Sequence, residues 1–334
     1  MLDVNYFENV VRFAWVHGLC DGLGINRFAE TVLYHYFCIK DGKEYDDEGI
    51  YTDKLPYDDA EIYDAYSEEA SVDARELKKQ QRKEKRFRLP ELDTGKGPEM
   101  FRFSLKIKTE DFLGFCEGAK ASPGAVSAAI MTQSVARNNS VSEGVIMSVL
   151  PTSLRRFTHA EKTFKNCTAA VFLPAGPDAF DSMGTGELAA KLREEMNKQL
   201  TVENTRLLID SINLVTHLGR KVPTYFLKNK ILSIKEKNPQ DTFSVDYVGG
   251  LRTNGYSEKI TDVRYLNADA YRGSMTVFMS DTAGHFYISV NQTFASPVYF
   301  EGFRQILEEN GIPYEKLAAG MYLNPEVVLP KESK

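Results

Sequence analysis

The chain has 334 residues, 43% hydrophobic and 26% charged, with a net charge of −6. That is too many residues for one typical core, enough for two lobes, and ordinary in composition for a soluble globular protein. The acidic balance argues against a nucleic-acid surface, and no apolar run approaches the ~20 residues that a membrane-spanning helix needs.

The opening MLDVNYFENVV carries no basic run of the kind that begins a secretory signal. Four cysteines, Cys20, Cys38, Cys116 and Cys167, lack metal-ligand spacing and read as free thiols of a reducing cytoplasm. Val10 to Val16 is rich in β-branched and aromatic residues and reads as a strand. Residues 1–9 look too short to supply its neighbours, so those are expected from later in the chain or from residues before Met1. After a turn with Gly18, Gly22 and Gly24, the residues Ile25, Phe28, Ala29, Val32, Leu33 and Tyr36 recur at helical spacing.

Lys40 to Asp64 is acidic and turn-rich, a solvated connection. Glu61 to Arg88 has helical composition and ends in a basic cluster running from Lys78 to Arg88. An exposed helix with cations near its C-terminal end is the plain reading of it; docking of an acidic partner or a phosphate-bearing cofactor is the sharper one. Leu89 to Glu99 reads as a lobe boundary, dividing the chain into residues 1–96 and 97–334. Phe101 to Lys108 alternates like a strand, Thr109 looks like the N-cap of a short helix, and Ser122-Pro123 restarts a helix to about Arg137. The small residues Ala125, Ala128 and Ala129 permit that helix to pack closely. Strands are expected at Val145 to Leu150 and Cys167 to Leu173, and helices at Glu187 to Leu200, 202–217 and 224–236. Three further strands, Thr242–Val248, Ser274–Ser280 and Phe286–Gln292, precede a final helix over about Val298 to Asn310. Alternating strands and helices imply α/β or α+β two-layer lobes.

The candidate chemistry sits between the first strand and the first helix, at His17-x-x-x-Asp21-Gly22. This pattern resembles the signature of the condensation-domain and chloramphenicol acetyltransferase superfamily, which has His-x-x-x-Asp-Gly after a strand. Many condensation domains carry a second histidine before the first. Here that place holds Val16, which is similar to stand-alone alcohol O-acetyltransferase-like members. Leu150-Pro151-Thr152-Ser153-Leu154-Arg155 resembles the family's Pro-x-x-x-Arg stretch, whose arginine pairs with the motif aspartate. Asp246-Tyr247-Val248-Gly249-Gly250 stands where the family has a second, aromatic-glycine signature. The resemblance covers roughly residues 5–320. It implies a chloramphenicol acetyltransferase-like fold of two lobes with an interlobe cleft. Such proteins have a substantial segment before the histidine motif, so the chain is expected to be N-terminally truncated.

The resemblance also implies acyl transfer from a coenzyme A or phosphopantetheinyl carrier thioester to an alcohol or amine. Neutral imidazole, with a pKa near ~6.5, can take the acceptor's proton, so His17 is the expected general base. Asp21 could orient His17 as in a dyad; pairing with Arg155 to fix the loop is the better reading, with Arg156 able to exchange roles. Gly22 is expected to allow a backbone conformation closed to larger residues. Oxyanion donors are sought among backbone amides around Gly22 or the Ser148 hydroxyl, with Asp246, Tyr247 and Gly249 as cleft residues. No metal cluster or permanently bound cofactor is expected. Expected partners are a small-molecule acceptor or an acyl carrier protein, for a cytoplasmic monomer. The competing reading is a non-catalytic relative that serves as a binding module or is an inactive fragment. An imidazole facing a tunnel with Asp21 turned to an arginine favours the enzyme; a buried or widely exposed imidazole favours the non-catalytic relative.

Overall fold

The computed structural model describes residues 2–52, 54–66, 84–93, 99–158, 160–228, 241–266 and 275–323. Among these, nine strands form two sheets. The first is a hairpin of β1 (Leu2–Phe7) and β2 (Val10–Trp15), paired antiparallel from Leu2 opposite Trp15 to Phe7 opposite Val10. The residues expected to be too short for a partner strand therefore provide one. Six residues suffice because the turn needs only Glu8 and Asn9, with Glu8 taking the left-handed φ of 52°. The hairpin remains exposed along β1 and the first half of β2. Phe13 is its apolar anchor, edge-on to Phe28 with ring centroids 6.2 Å apart.

The second sheet has seven strands in the order β5-β4-β6-β7-β8-β3-β9. They are β3 (Glu99–Lys108), β4 (Ile146–Ser153), β5 (Thr168–Ala175), β6 (Phe243–Tyr247), β7 (Thr276–Thr282), β8 (His285–Gln292) and β9 (Glu315–Leu323). Only the β4–β6 and β6–β7 pairs are parallel. β9 went unforeseen in the sequence because EKLAAGMYL has no clean period of two; it pairs along β3 past a register shift between Arg102 and Ser104.

Helices cover one face of this sheet. The central one, Pro123–Arg137, is capped by the Ser122 hydroxyl and starts with proline, as expected, and its residues from Gly124 to Val135 are all buried. Its small side chains allow a close approach to the helix Val298–Glu309, where the Ser134 hydroxyl donates to the Tyr299 carbonyl at 2.7 Å. Phe112, from the helix Thr109–Gly118, stands edge-on to Phe286 of β8 at 5.0 Å, both fully buried. The N-cap of that helix is Lys108, not Thr109, whose hydroxyl instead reaches Asp281 at 2.7 Å.

The opposite face of the sheet is polar. Ser104 meets Ser289 at 2.9 Å and Ser244 meets Thr276 at 3.0 Å. Residues of this face from β6 to β8 are tied by Tyr265 to the first helix, α1 (Gly22–Asp41): Tyr265 stacks on Phe278 and its hydroxyl donates to Asn26 at 2.8 Å.

Of Glu61 to Arg88, expected to be helical, residues 67–83 lie outside the described residues; the described ends hold a 3-10 turn at Asp59–Ile62 and an isolated bridge from Arg86 to Val145. The basic residues from Lys78 to Lys83 lie outside the described residues, as do residues 94–98 of the expected boundary and most of the expected helix at 224–236. Leu89 and Leu92 pack into the core of the large sheet. Because Phe112 fills that core and Tyr6 stands in solvent, Phe112→Ala is expected to cost about 3–5 kcal/mol in urea unfolding, and Tyr6→Ser less than about 0.5 kcal/mol.

Candidate active site

Asp21 organises the loop. It is the N-cap of α1, with its carboxylate accepting from the Gly24 N–H at 3.0 Å. The same carboxylate receives both Arg155 Nη atoms at 2.8 Å and the Cys167 N–H at 3.0 Å. Asp21 is 1% and Arg155 5% exposed, so the pair is desolvated and must be satisfied on every side. The remaining guanidinium protons reach the carbonyls of Thr163 and Lys165 and the Ser153 hydroxyl. The fixing role expected for Asp21 is the geometry observed, and no dyad with His17 forms. Arg156 is exposed over the Phe157 ring at 4.5 Å, which settles the choice between the two arginines.

Gly22 is correct as a small residue for another reason than expected. It begins α1 without a left-handed φ, and a Cβ there would stand 3.0 Å from Val248. The stricter position is Gly24, where a Cβ would meet the Phe164 carbonyl oxygen at 2.1 Å. Sequence reading passed over Gly24 because it is one glycine among three with no motif to single it out.

α1 also clasps two segments distant in sequence. Arg27 donates to the carbonyls of Glu161, Lys162 and Thr163, while Asn26 donates to the Val248 carbonyl at 2.9 Å and Glu30 accepts from the Arg252 N–H at 2.8 Å. These backbone captures leave no signature in the side chains that supply only a carbonyl.

His17 is exposed, two residues after β2. Its Nδ1 lies 3.4 Å from the Asn166 side-chain nitrogen, a long contact. Asn166 is oriented by its oxygen, which accepts from the Thr168 N–H and hydroxyl at 3.2 and 2.9 Å. The Asn166 NH2 is therefore the group that faces Nδ1. Cys20 nearby offers no nucleophile, because burial and then the Asp21 charge push its thiol up to about 11.

The other expected site residues separate. Ser148 is fully buried on the face of Ile146 and Leu150, and its hydroxyl donates to the Leu173 carbonyl at 3.3 Å, so it lines no cleft. Tyr247 is half-exposed, with its ring 5.9 Å from Phe286. Gly249 has a left-handed φ of 78° that ends the strand. Asp246 faces the polar side with Oδ1 buried and unpartnered, and burial, then the Asp241 charge, raise it to about 7. No group of three or more His, Cys, Asp or Glu residues suited to a metal ion occurs among the described residues.

Removing one member of the buried pair strands the other charge. Arg155→Ala is expected to cost about 3–5 kcal/mol and Arg156→Ala less than about 0.5 kcal/mol, read from urea midpoints. Asp246 binds its proton more tightly folded than unfolded. Ionising it therefore costs stability as pH rises from about 4 towards 7, and the cost is full above 7. Asp246→Asn is expected to be more stable than the parent above pH 7 and to lose that advantage near pH 4, measured by thermal unfolding across the range.

No family model and no curated protein matches the sequence. Among solved structures, the chain is similar to F. sporotrichioides TRI101 complexed with coenzyme A and T-2. The TM-score is 0.59 at 13% identity, over 95% of this chain and 70% of that one. It is also similar to F. graminearum TRI101 complexed with coenzyme A and T-2 mycotoxin, with TM-score 0.53 at 10% identity over 95% and 69% of the two chains. For the epimerization domain from the third module of tyrocidine synthetase B, the TM-score is 0.54 at 12% identity over 90% and 67%. The likeness at these identities is one of architecture: the chain shares the mixed α/β fold of TRI101 and of the epimerization domain.

Proposed function

We propose that the chain is an acyltransferase with His17 as its general base, moving an acyl group from a coenzyme A or carrier-protein thioester to a small alcohol or amine. The observation that carries this reading is the Asp21–Arg155 pair. It takes the motif aspartate away from the histidine and holds the loop rigid, leaving the imidazole free to meet a ligand. The architecture shared with TRI101, crystallised with coenzyme A, supports a thioester donor.

In this reading the acceptor's O–H or N–H displaces Asn166 and donates to the His17 Nδ1 lone pair. As the acceptor attacks the thioester carbonyl, Nδ1 takes the proton. The tetrahedral intermediate then expels the thiolate, which takes that proton back and leaves as thiol. Backbone amides near Gly22 remain the candidate oxyanion donors. The donor would enter between the N-terminal part, up to residue 96, and the lobe of residues 97–334. Membership of the stand-alone alcohol-acetylating branch and a monomeric, cytoplasmic enzyme belong to the same proposal.

A second reading has its own observation. The imidazole stands exposed and is held by one long contact, as expected of a non-catalytic relative that binds a partner. A thiol-release assay separates the two, with acetyl coenzyme A and a panel of alcohols and amines that includes T-2 mycotoxin. The enzyme reading expects acceptor-dependent release that falls by about 10²–10⁴-fold in His17→Ala. Equal release from both proteins removes His17 as the base. No release with coenzyme A or carrier-bound donors favours the binding module.

A further inference from the structure

The helix Val202–Lys221 divides into two halves of different character. Its first half belongs to the fold. Thr205, Asp210 and Asn213 are buried, and Leu208, Ile209 and Ile212 pack against the core. Beyond Asn213, no described side chain as far as Lys228 is buried. The apolar ones stand in solvent: Val215 is 55%, Tyr225 80% and Phe226 78% exposed, with Leu227 beside them.

The stretch is cationic. The chain carries a net charge of −6, yet Ser211 to Lys228 contains no Asp or Glu. Arg220, Lys221 and Lys228 bracket the aromatic pair, and Arg220 and Lys221 also sit at the C-terminal end of the helix, where cations are favoured. None of the three has a carboxylate partner among the described residues. Solvent-exposed apolar side chains grouped in this way mark an interaction surface.

Two aromatic rings exposed to this degree stand out from the surface. A rigid protein partner would need matching pockets for them, whereas a lipid interface closes around whatever enters it. Tyrosine and phenylalanine suit the headgroup level, and flanking lysine and arginine suit the phosphates above it. We propose that residues 215–228 form a peripheral membrane-binding tip for an anionic phospholipid surface. Tyr225, Phe226 and Leu227 enter the headgroup and acyl boundary, and Arg220, Lys221 and Lys228 contact the lipid phosphates. No helix among the described residues is long and apolar enough to cross a membrane, so this contact lies on the surface. It is independent of the acyltransferase reading and would hold for either proposed function.

The test is co-sedimentation of the full chain with vesicles. Binding is expected with phosphatidylcholine vesicles containing phosphatidylserine, is expected to weaken with added salt, and is expected to be absent with phosphatidylcholine alone. Each cation is worth roughly fivefold in partitioning, so the variant Arg220→Ser, Lys221→Ser, Lys228→Ser should bind on the order of a hundredfold more weakly. Tyr225→Ser with Phe226→Ser should also lower binding, and circular dichroism checks that both variants keep the fold. No sedimentation with the anionic vesicles, equal binding to neutral ones, or full binding by the triple variant overturns the proposal. Capture by immobilised polyglutamate without vesicle binding overturns it in favour of an acidic protein partner.

Discussion

The ion pair between Asp21 and Arg155 is the constraint on which the candidate site depends. Two charges withdrawn from water are tolerated only when each donor and acceptor finds a partner. Here the aspartate also serves as a helix cap, and the arginine also gathers the carbonyls of Thr163 and Lys165. One interaction thus joins the start of α1, the end of β4 and the segment leading into β5. The backbone around residues 161–167 has no regular structure of its own beyond turns, so its carbonyls need these cations. Arg27 supplies the second set from the next turn of α1.

The large sheet is divided by chemistry between its two faces. One is sealed by helices whose small residues permit close contact, and it contains the main core. The other carries serines and threonines whose hydroxyls pair across strands, and Asn291, whose amide donates to the Tyr265 carbonyl. That face also holds buried oxygens without partners, at Asp246 and Asn291. Burying polar groups without partners on such a face costs stability.

Much of this was legible in the sequence. The strand, turn and helix around His17, the central helix from Pro123 and the Asp21–Arg155 pairing follow from spacing, capping and the resemblance of three short motifs in order. What was not legible shares one cause, which is backbone chemistry. β9 lacks alternation and exists because β3 offers it an edge. Gly24 is required by a carbonyl that only the folded chain brings near. The role given to Ser148 failed because a hydroxyl within a strand can bond to the neighbouring strand's carbonyl, and a sequence does not say which. Arg155 and Arg156 are adjacent and chemically identical, so only burial separates them.

The exposed hairpin has a consequence for the histidine after it. On one side His17 is four residues from a carboxylate locked by four hydrogen bonds; on the other it succeeds a two-stranded ribbon anchored through Phe13. Isolated ribbons of this size are marginal in water, so the β2 end of the His17 loop depends on contacts outside the two strands: Phe13 on Phe28, and the Trp15 indole N–H on the Cys20 carbonyl at 3.3 Å. Val16 in turn accepts from the Leu19 N–H at 2.8 Å, and the far end of the loop is fixed at Asp21. A ligand at the imidazole would lie beside this exposed ribbon, and one that also touches the hairpin would gain contact there. Selectivity at this site would then depend on the reach of the ligand across the ribbon as much as on its chemistry at the imidazole.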